Sequence, residues 1–369
     1  MRRDKVITIS LCMIVRDEEE VLARCLDSVH DLVDEIVIVD TGSTDRTKDI
    51  AARYTDRIYD YEWTDHFADA RNYSFSFATQ DYVLWLDADD YFLEKDRLKI
   101  KQLKQELDSA VDSVVMEYHL AFDGYGNPLA MSRRNRIVKR SRQFRWYNPV
   151  HEYLLVDGNY YLTDIAVSHG RVHENTGRNL RILEQIVERD GEVTGRDIFY
   201  YANELSDAGR FSEAAEQYRR FLDQPVEYFE DNLTACARLS ACYHQLGRFD
   251  LKLTALLESL VHELPRADFC CSIGQCFLEK EDFGKAIYWF KLALEQERPP
   301  DHHFGVLNLI CWTWLPHLQL CICYGMTGEL ELAYEHNEKA LAYLPDDANL
   351  LQNKAKIEQA LGLGGAEPE

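Results

Sequence analysis

The sequence predicts a two-part protein, a doubly wound α/β half followed by an all-helical half of repeated helix pairs. Three observations carry this reading. Short apolar runs that end in acids alternate with helical patterns up to about residue 170, the strand pattern stops after about residue 195, and a turn-plus-helix start then recurs. The expected boundaries are 1–190 for the α/β half, 195–361 for the helical half and 362–369 for a flexible tail.

Composition narrows the classes. Of the 369 residues, 46% are hydrophobic and 28% charged, which is a folded composition. A net charge of -23 argues against nucleic acid or an anionic membrane as partner. No run reaches the roughly 18 apolar residues of a membrane-crossing helix. The apolar run from Val6 to Val15 passes directly into Arg16-Asp17-Glu18-Glu19-Glu20 without a small-residue cleavage site, so a strand is expected there and not a leader. The ten cysteines show no CxxC pair and no zinc spacing, and most lie in apolar helical patterns. They read as core residues of a reduced, cytoplasmic protein.

The first strand is followed by Val21, Leu22, Cys25, Leu26 and Val29 at helical spacing, which gives one apolar stripe. Glu35-Ile36-Val37-Ile38-Val39-Asp40 is a second buried strand, and Thr41-Gly42-Ser43-Thr44-Asp45 supplies a turn and caps for a helix over 46–54. A third strand over 58–61 and a helix over 67–78 lead to Tyr82-Val83-Leu84-Trp85-Leu86, a buried strand that stops in Asp87-Ala88-Asp89-Asp90. If these strands are parallel, Asp17, Asp40 and the Asp87/Asp89 pair converge on one edge of the sheet, where ligands of open α/β sheets bind. Two carboxylates so close repel, which invites a divalent cation with oxygen ligands. Neither GxGxxG nor GxxxxGK[ST] is present, so a diphosphate would rest on the metal and on basic side chains such as Arg71.

Four segments in this order, Ile9 to Glu18, Ile38 to Asp45, Ala68-Asp69-Ala70-Arg71-Asn72 and Leu86-Asp87-Ala88-Asp89-Asp90, resemble the motifs of family 2 glycosyltransferases over roughly residues 5–180. The resemblance implies the GT-A fold, that of nucleotide-diphospho-sugar transferases, and a UDP-sugar donor. It implies that Asp17 and Asp40 contact uracil and ribose, and that Asp69 and Arg71 flank the nucleotide. Asp87 and Asp89 stand at the DxD, with Asp89 the more direct ligand of Mn²⁺ or Mg²⁺. Such a metal neutralises charge on departing UDP, which is catalysis by electrostatics.

From about residue 112 to 168 strands alternate with loops, and Arg133, Arg134, Arg136, Lys139, Arg140, Arg142 and Arg145 form one basic run in an acidic chain. It reads as a solvated surface or as a set of contacts that steers the anionic donor. Next, Asn148-Pro149-Val150-His151-Glu152 resembles the VHE element of a branch that includes lipopolysaccharide-core glycosyltransferases and bacteriocin S-glycosyltransferases. An inverting transfer needs a group to take the acceptor proton; Glu152 is the first candidate and His151 the second, against a structural His-Glu pair. His169 ends the next strand and is a candidate for the metal sphere or the diphosphate. Arg178 opens a helix and is a candidate phosphate contact.

In the helical half, Gly209-Arg210-Phe211, Gly247-Arg248-Phe249, Glu281-Asp282-Phe283 and Gly328-Glu329-Leu330 are equivalent turn-helix starts, each followed by a proline. Their spacing lies near or above the tetratricopeptide period of about 34 residues, and the units resemble such repeats. The usual Ala is missing at Lys252-Leu253-Thr254. Stacked helix pairs leave a concave surface suited to peptides; Trp312 and Trp314 read as packing, or as part of a peptide groove or a homodimer face.

Together these features predict a metal-dependent, inverting glycosyltransferase. The expected donor is UDP-glucose or UDP-N-acetylhexosamine, and the expected acceptor a Cys, Ser or Thr side chain of a peptide or protein. The alternative acceptor is a lipopolysaccharide-core or other envelope glycan. A rival of another class is a repeat scaffold with a vestigial α/β half, which intact Asp40, Asp87 and Asp89 disfavour.

Overall fold

The computed structural model of the chain describes residues 6–124, 126–170, 177–193, 195–225, 229–299 and 305–363. The chain divides into two compact units, Met1–Arg189 with Asp301–Val306 and Asp190–Pro300 with Leu307–Glu369. From residue 364 on, the expected tail lies outside the described residues.

In the first unit β1 (Ile9–Val15), α1 (Leu22–Val29), β2 (Glu35–Asp40), α2 (Thr47–Ala51), β3 (Ile58–Asp60), α3 (Phe67–Ser76), β4 (Tyr82–Trp85) and β5 (Asp90–Tyr91) come first. They are followed by α4 (Glu94–Glu106), β6 (Ser113–Phe122), β7 (Pro128–Lys139), β8 (Arg145–Tyr147), β9 (Tyr153–Leu155), β10 (Tyr160–His169) and α5 (Arg178–Asp190). The main sheet runs β3-β2-β1-β4-β7-β6-β10-β5. Strands β1 to β4 are mutually parallel, β7 is antiparallel to both its neighbours, and β8 and β9 form a separate ribbon. Val15 lies opposite Asp40 and Cys12 opposite Trp85, so β1, β2 and β4 end at one edge.

The apolar stripe of α1 explains why that edge is well fixed. Leu22, Cys25, Leu26 and Val29 are fully buried against Leu11, Met13, Ile38 and Leu84, and each large side chain so buried contributes about 1.5–3 kcal/mol. The strand expected from Val6 begins at Ile9, because the amide and hydroxyl of Thr8 bond to the Asp81 carboxylate. Helix α4 had no counterpart in the sequence reading. Among its apolar side chains only Ile100 and Leu103 are buried, while Leu98 is 58% exposed, so its periodicity is thin.

In the second unit α6 (Arg196–Asp207) pairs with α7 (Phe211–Leu222), α8 (Phe229–Gln245) with α9 (Phe249–Glu258), and α10 (Ala267–Leu278) with α11 (Phe283–Glu295). Then α12 (Trp314–Thr327) pairs with α13 (Leu330–Leu341), on which α14 (Ala348–Leu361) packs. Phe211, Phe249, Phe283 and Leu330 each open the second helix of a pair, so the recurring turn is the bend inside each hairpin. Ala214, Ala286 and Ala333 are fully buried and let the paired helices approach. Where the small residue is missing, Lys252 instead reaches Glu279 at 2.7 Å. All ten cysteines are buried free thiols. Among the described residues no helix is long and apolar enough to cross a membrane.

Candidate active site

Strand β4 ends at Trp85, and the chain turns sharply through Asp87 to Asp90. The Asp90 amide donates to the Asp87 carbonyl at 3.0 Å, and the Asp87 amide donates to Asp90 Oδ2 at 3.1 Å. Short β5 then pairs with the end of β10, which sets His169 opposite Asp90. As a result His169 Nδ1 lies 3.6 Å from Asp89 Oδ1 and 3.6 Å from Asp90 Oδ1, with the Tyr118 hydroxyl at 2.9 Å. One ligand atom each from Asp89, Asp90 and His169 falls within 4.8 Å of the others.

The electrostatics fit a cation. Burial, followed by the like charges of Asp87 and Asp90, holds the Asp89 carboxyl above its ordinary value against the pull of His169. Burial disfavours the charged form of His169, yet the carboxylates of Asp90, Asp89 and Asp87 outweigh it and raise its pKa. Asp90 Oδ1 is buried without a hydrogen-bond partner. Two carboxylates and an imidazole so arranged could hold a divalent cation.

Asp87 faces another way. Helix α3 carries Arg71, whose Nη2 donates to Asp87 Oδ1 and whose Nε donates to Glu152 Oε1, both at 2.7 Å. Burial opposes a charged Asp87, but Arg71 and then Arg136 leave its pKa below the ordinary value. The guanidinium of Arg71 lies over Trp85 and Trp146, at 5.2 and 4.8 Å from the ring centres. Its neighbour Asn72 clamps β8 with a pair of 2.9 Å bonds to the Trp146 backbone. One helix therefore holds both the acidic turn and the loop that carries Glu152. That loop is tightly bent, with Asn148 (φ 75°) and His151 (φ 51°) in the left-handed region that non-glycine residues enter at a cost. His151 is half-buried there.

At the ends of β1 and β2, Asp17 and Asp40 share one turn. Asp17 Oδ1 accepts from the Thr44 amide at 2.7 Å, while Asp40 Oδ1 accepts from the Gly42 and Ser43 amides at 3.0 Å. Asp40 Oδ2 is buried and unpartnered. Arg178 opens α5 with its guanidinium 4.6 Å from the centre of the Phe67 ring; desolvation and the charge of Arg16 hold its pKa down. Asp69 is the residue the structure does not draw in. Its carboxylate is 58% exposed and meets His66 at the start of α3.

Three participants were missed by sequence reasoning. Asp90 was visible as the third acid of the turn but carried no assigned role. Tyr118 depends on the pairing of β6 with β10, which no local pattern reveals. Arg136 lies inside the basic run, yet it is fully buried with Nη1 2.9 Å from Asp90 Oδ2.

Residues 10–159 match the family model described as Glycosyl transferase family 2. A TPR repeat-containing protein of Synechococcus elongatus is 28% identical over 341 residues, covering 91% of this chain and 76% of that protein. The SPbeta prophage-derived glycosyltransferase SunS of Bacillus subtilis is 25% identical over 274 residues, covering 70% of this chain and 64% of SunS. The lipopolysaccharide core biosynthesis glycosyltransferase LpsC of Rhizobium meliloti is 29% identical over 164 residues, covering 42% of this chain and 59% of LpsC. The chain thus spans less than two thirds of the length of SunS and of LpsC. The α/β unit, with acids gathered at its strand ends, is the part that matches the family model, and a unit of tetratricopeptide-like helix pairs follows it. The match of residues 10–159 and the likeness to these relatives support a glycosyltransferase activity for the α/β unit.

Proposed function

We propose that the protein transfers a hexose with inversion from a UDP-sugar, UDP-glucose or UDP-N-acetylhexosamine, to a Cys, Ser or Thr side chain of a peptide or protein in the cytoplasm. The observation that carries this reading is the Arg71 bridge, which joins the acidic turn to Glu152 through two 2.7 Å bonds. Asp40, with one buried oxygen unpartnered, accepts a donor group of the nucleoside, and Asp17 braces the shared turn. Arg178 and Arg71 face the diphosphate side of the site. Asp89, Asp90 and His169 would hold Mn²⁺ or Mg²⁺, whose chemistry when bound is to neutralise charge on the leaving diphosphate. Asp87 keeps Arg71 in place and lies beside that set. Glu152, its side chain 12% exposed, takes the acceptor proton as the nucleophile attacks the anomeric carbon, with His151 the neighbouring candidate.

A peptide acceptor is favoured by the helical unit. It has an open cavity of about 410 Å³ between α8, α10 and α12, where Ser240, His244, Gln275 and Gln319 offer polar contacts beside Leu256 and Phe290. Concave repeat surfaces of this kind suit extended peptides. The second reading, an envelope glycan acceptor, is favoured by the likeness to LpsC.

The test is incubation with Mn²⁺ and a panel of UDP-sugars, following UDP release by mass spectrometry, with Cys- and Ser-containing peptides and core oligosaccharide as separate acceptors. Faster release with one donor, and a peptide gaining the mass of one hexose, is the expected result. Glycosylation of the oligosaccharide alone would select the second reading. Full turnover by Asp89→Ala would remove the metal assignment.

A further inference from the structure

Arg136 is the largest fully buried side chain of the described residues, and it is charged. Its guanidinium lies between the rings of Trp85 and Tyr118, 4.0 and 4.5 Å from their centres. Only Nη1 is engaged by polar atoms, ion-paired with Asp90 Oδ2 at 2.9 Å and donating to the Trp85 carbonyl at 3.4 Å; Nε and Nη2 have no hydrogen-bond partner. Stability is a poor explanation for such a group, since a buried ion pair is often replaceable by apolar residues at no loss. A buried cation with the three N–H donors of Nε and Nη2 unused implies that its charge and its ion pair serve something else.

What that bond does is visible at Asp90. Oδ2 is fixed from two sides, by Arg136 Nη1 and by the Asp87 amide. The orientation of the carboxylate is thereby set, and Oδ1 is left without a hydrogen bond, within ion-pair distance of His169 Nδ1 at 3.6 Å in the group shared with Asp89. We propose that Arg136 is a positioning residue for the metal centre: from beneath the sheet it grips one oxygen of Asp90 so that the other is presented to the cation. This rests on the metal reading given above. Arg136 touches neither cation nor sugar, and its influence passes through Asp90.

Mn²⁺ affinity measured by electron paramagnetic resonance, without donor or acceptor, tests this on the full chain. Arg136→Met is expected to weaken Mn²⁺ binding at least tenfold in protein that is folded by circular dichroism. In an Asp90→Asn background the same substitution is expected to add nothing, because its route is already cut. The double variant also removes both buried charges, so it folds even if the single one does not. Wild-type affinity in folded Arg136→Met, or a further tenfold loss in the Asp90→Asn background, would overturn the proposal. Asp89→Ala serves as the control for the reading beneath it. If that variant binds Mn²⁺ like the wild type, the metal centre itself fails and this inference with it; if it loses binding while Arg136→Met does not, only the positioning role fails.

Discussion

In the sheet unit the buried side chains Asp40, Arg71, Asp90 and Arg136 gather at one strand edge, and several of their polar atoms have no hydrogen bond. In the helical unit the buried polar groups are spread along the chain and most are tied to a neighbour: Asp231 to Arg196, the Asn337 amide to the Leu350 carbonyl, and His317 to His336; oxygens that lack a hydrogen bond there, such as those of Gln217 and Gln319, lie apart on α7 and α12 and form no cluster. Buried polar atoms are nearly always satisfied, so a cluster that is not marks the place where a ligand supplies the missing partner. The first arrangement serves chemistry and the second serves packing.

The sharpest way to break this comparison is to remove one arginine from each unit. Arg71→Met removes the guanidinium that Glu152 and Asp87 share, and leaves Asp87 with only the more remote charges of Arg136 and His169. Its expected effects are a loss of about 3 kcal/mol in urea denaturation and at least about hundredfold slower UDP release. Arg196→Met, which unpairs Asp231, is expected to lower the urea midpoint while leaving UDP release unchanged. Equal effects on turnover from the two variants would contradict the division of roles.

A smaller effect separates the units by pH. His317 Nδ1 and His336 Nδ1 are 2.9 Å apart, so they share a single proton between them. Burial, then His317 and Lys339, with Lys291 adding to them and Glu335 opposing, push the His336 pKa from 6.5 down to about 4. Burial and Lys339 lower that of His317 as well. The folded form refuses a proton that the unfolded chain accepts, so this stability is complete above pH 6.5 and falls as the pH drops towards 4. The expected loss is on the order of 2 kcal/mol. The depressed carboxylates of the sheet unit respond later. The backbone and side-chain bonds from Thr47 outweigh desolvation to depress the Asp45 carboxyl, and the bond from His119 depresses Glu117; their contributions hold above the ordinary values of 3.8 and 4.5 and fade below them. Urea titration at pH 7 and pH 4.8 should show the helical transition moving, and His336→Gln should suppress much of that movement. An acid shift undiminished in the variant would show that other groups carry it.

How much of this was legible follows from where each signal resides. Strand ends were readable because β-branched runs stop abruptly in acids, and parallel strands place Asp17, Asp40, Asp87 and Asp89 on one edge. The link from Arg71 to Glu152 was not readable, since it spans 81 residues and depends on Asn72 anchoring β8. Arg136 was hidden in a basic run of mixed burial, in which Arg133 is buried and Arg140 exposed, because the register of β7 against β4 and β6 decides which of these side chains turn inward. Asp69 is a different case: its place beside the nucleotide was implied by the resemblance alone, and its carboxylate is 58% exposed beside His66 at the start of α3. In the helical unit the repeat was legible through its turns, although one of them departs from the pattern.

That departure yields the smallest predicted effect. Gly209, Gly247 and Gly328 take φ values of 76°, 69° and 83° at the bend inside their hairpins, and Glu281 occupies the equivalent place with φ 56°. A side chain there brings Cβ against the carbonyl oxygen, a strain of about 1–2 kcal/mol, and Glu281 is exposed, so little packing offsets it. Glycine relieves the strain but loses more freedom on folding, which leaves an expected net gain of about 0.5–1 kcal/mol for Glu281→Gly. In a unit of this size that raises the melting temperature by about 1–4 °C. The reverse change at a sister turn, Gly247→Glu, should lower it by a similar amount. Because the bend lies within the helical unit, neither variant should alter UDP release; a change in turnover from either would mean that the repeat hairpins are coupled to the chemistry of the sheet.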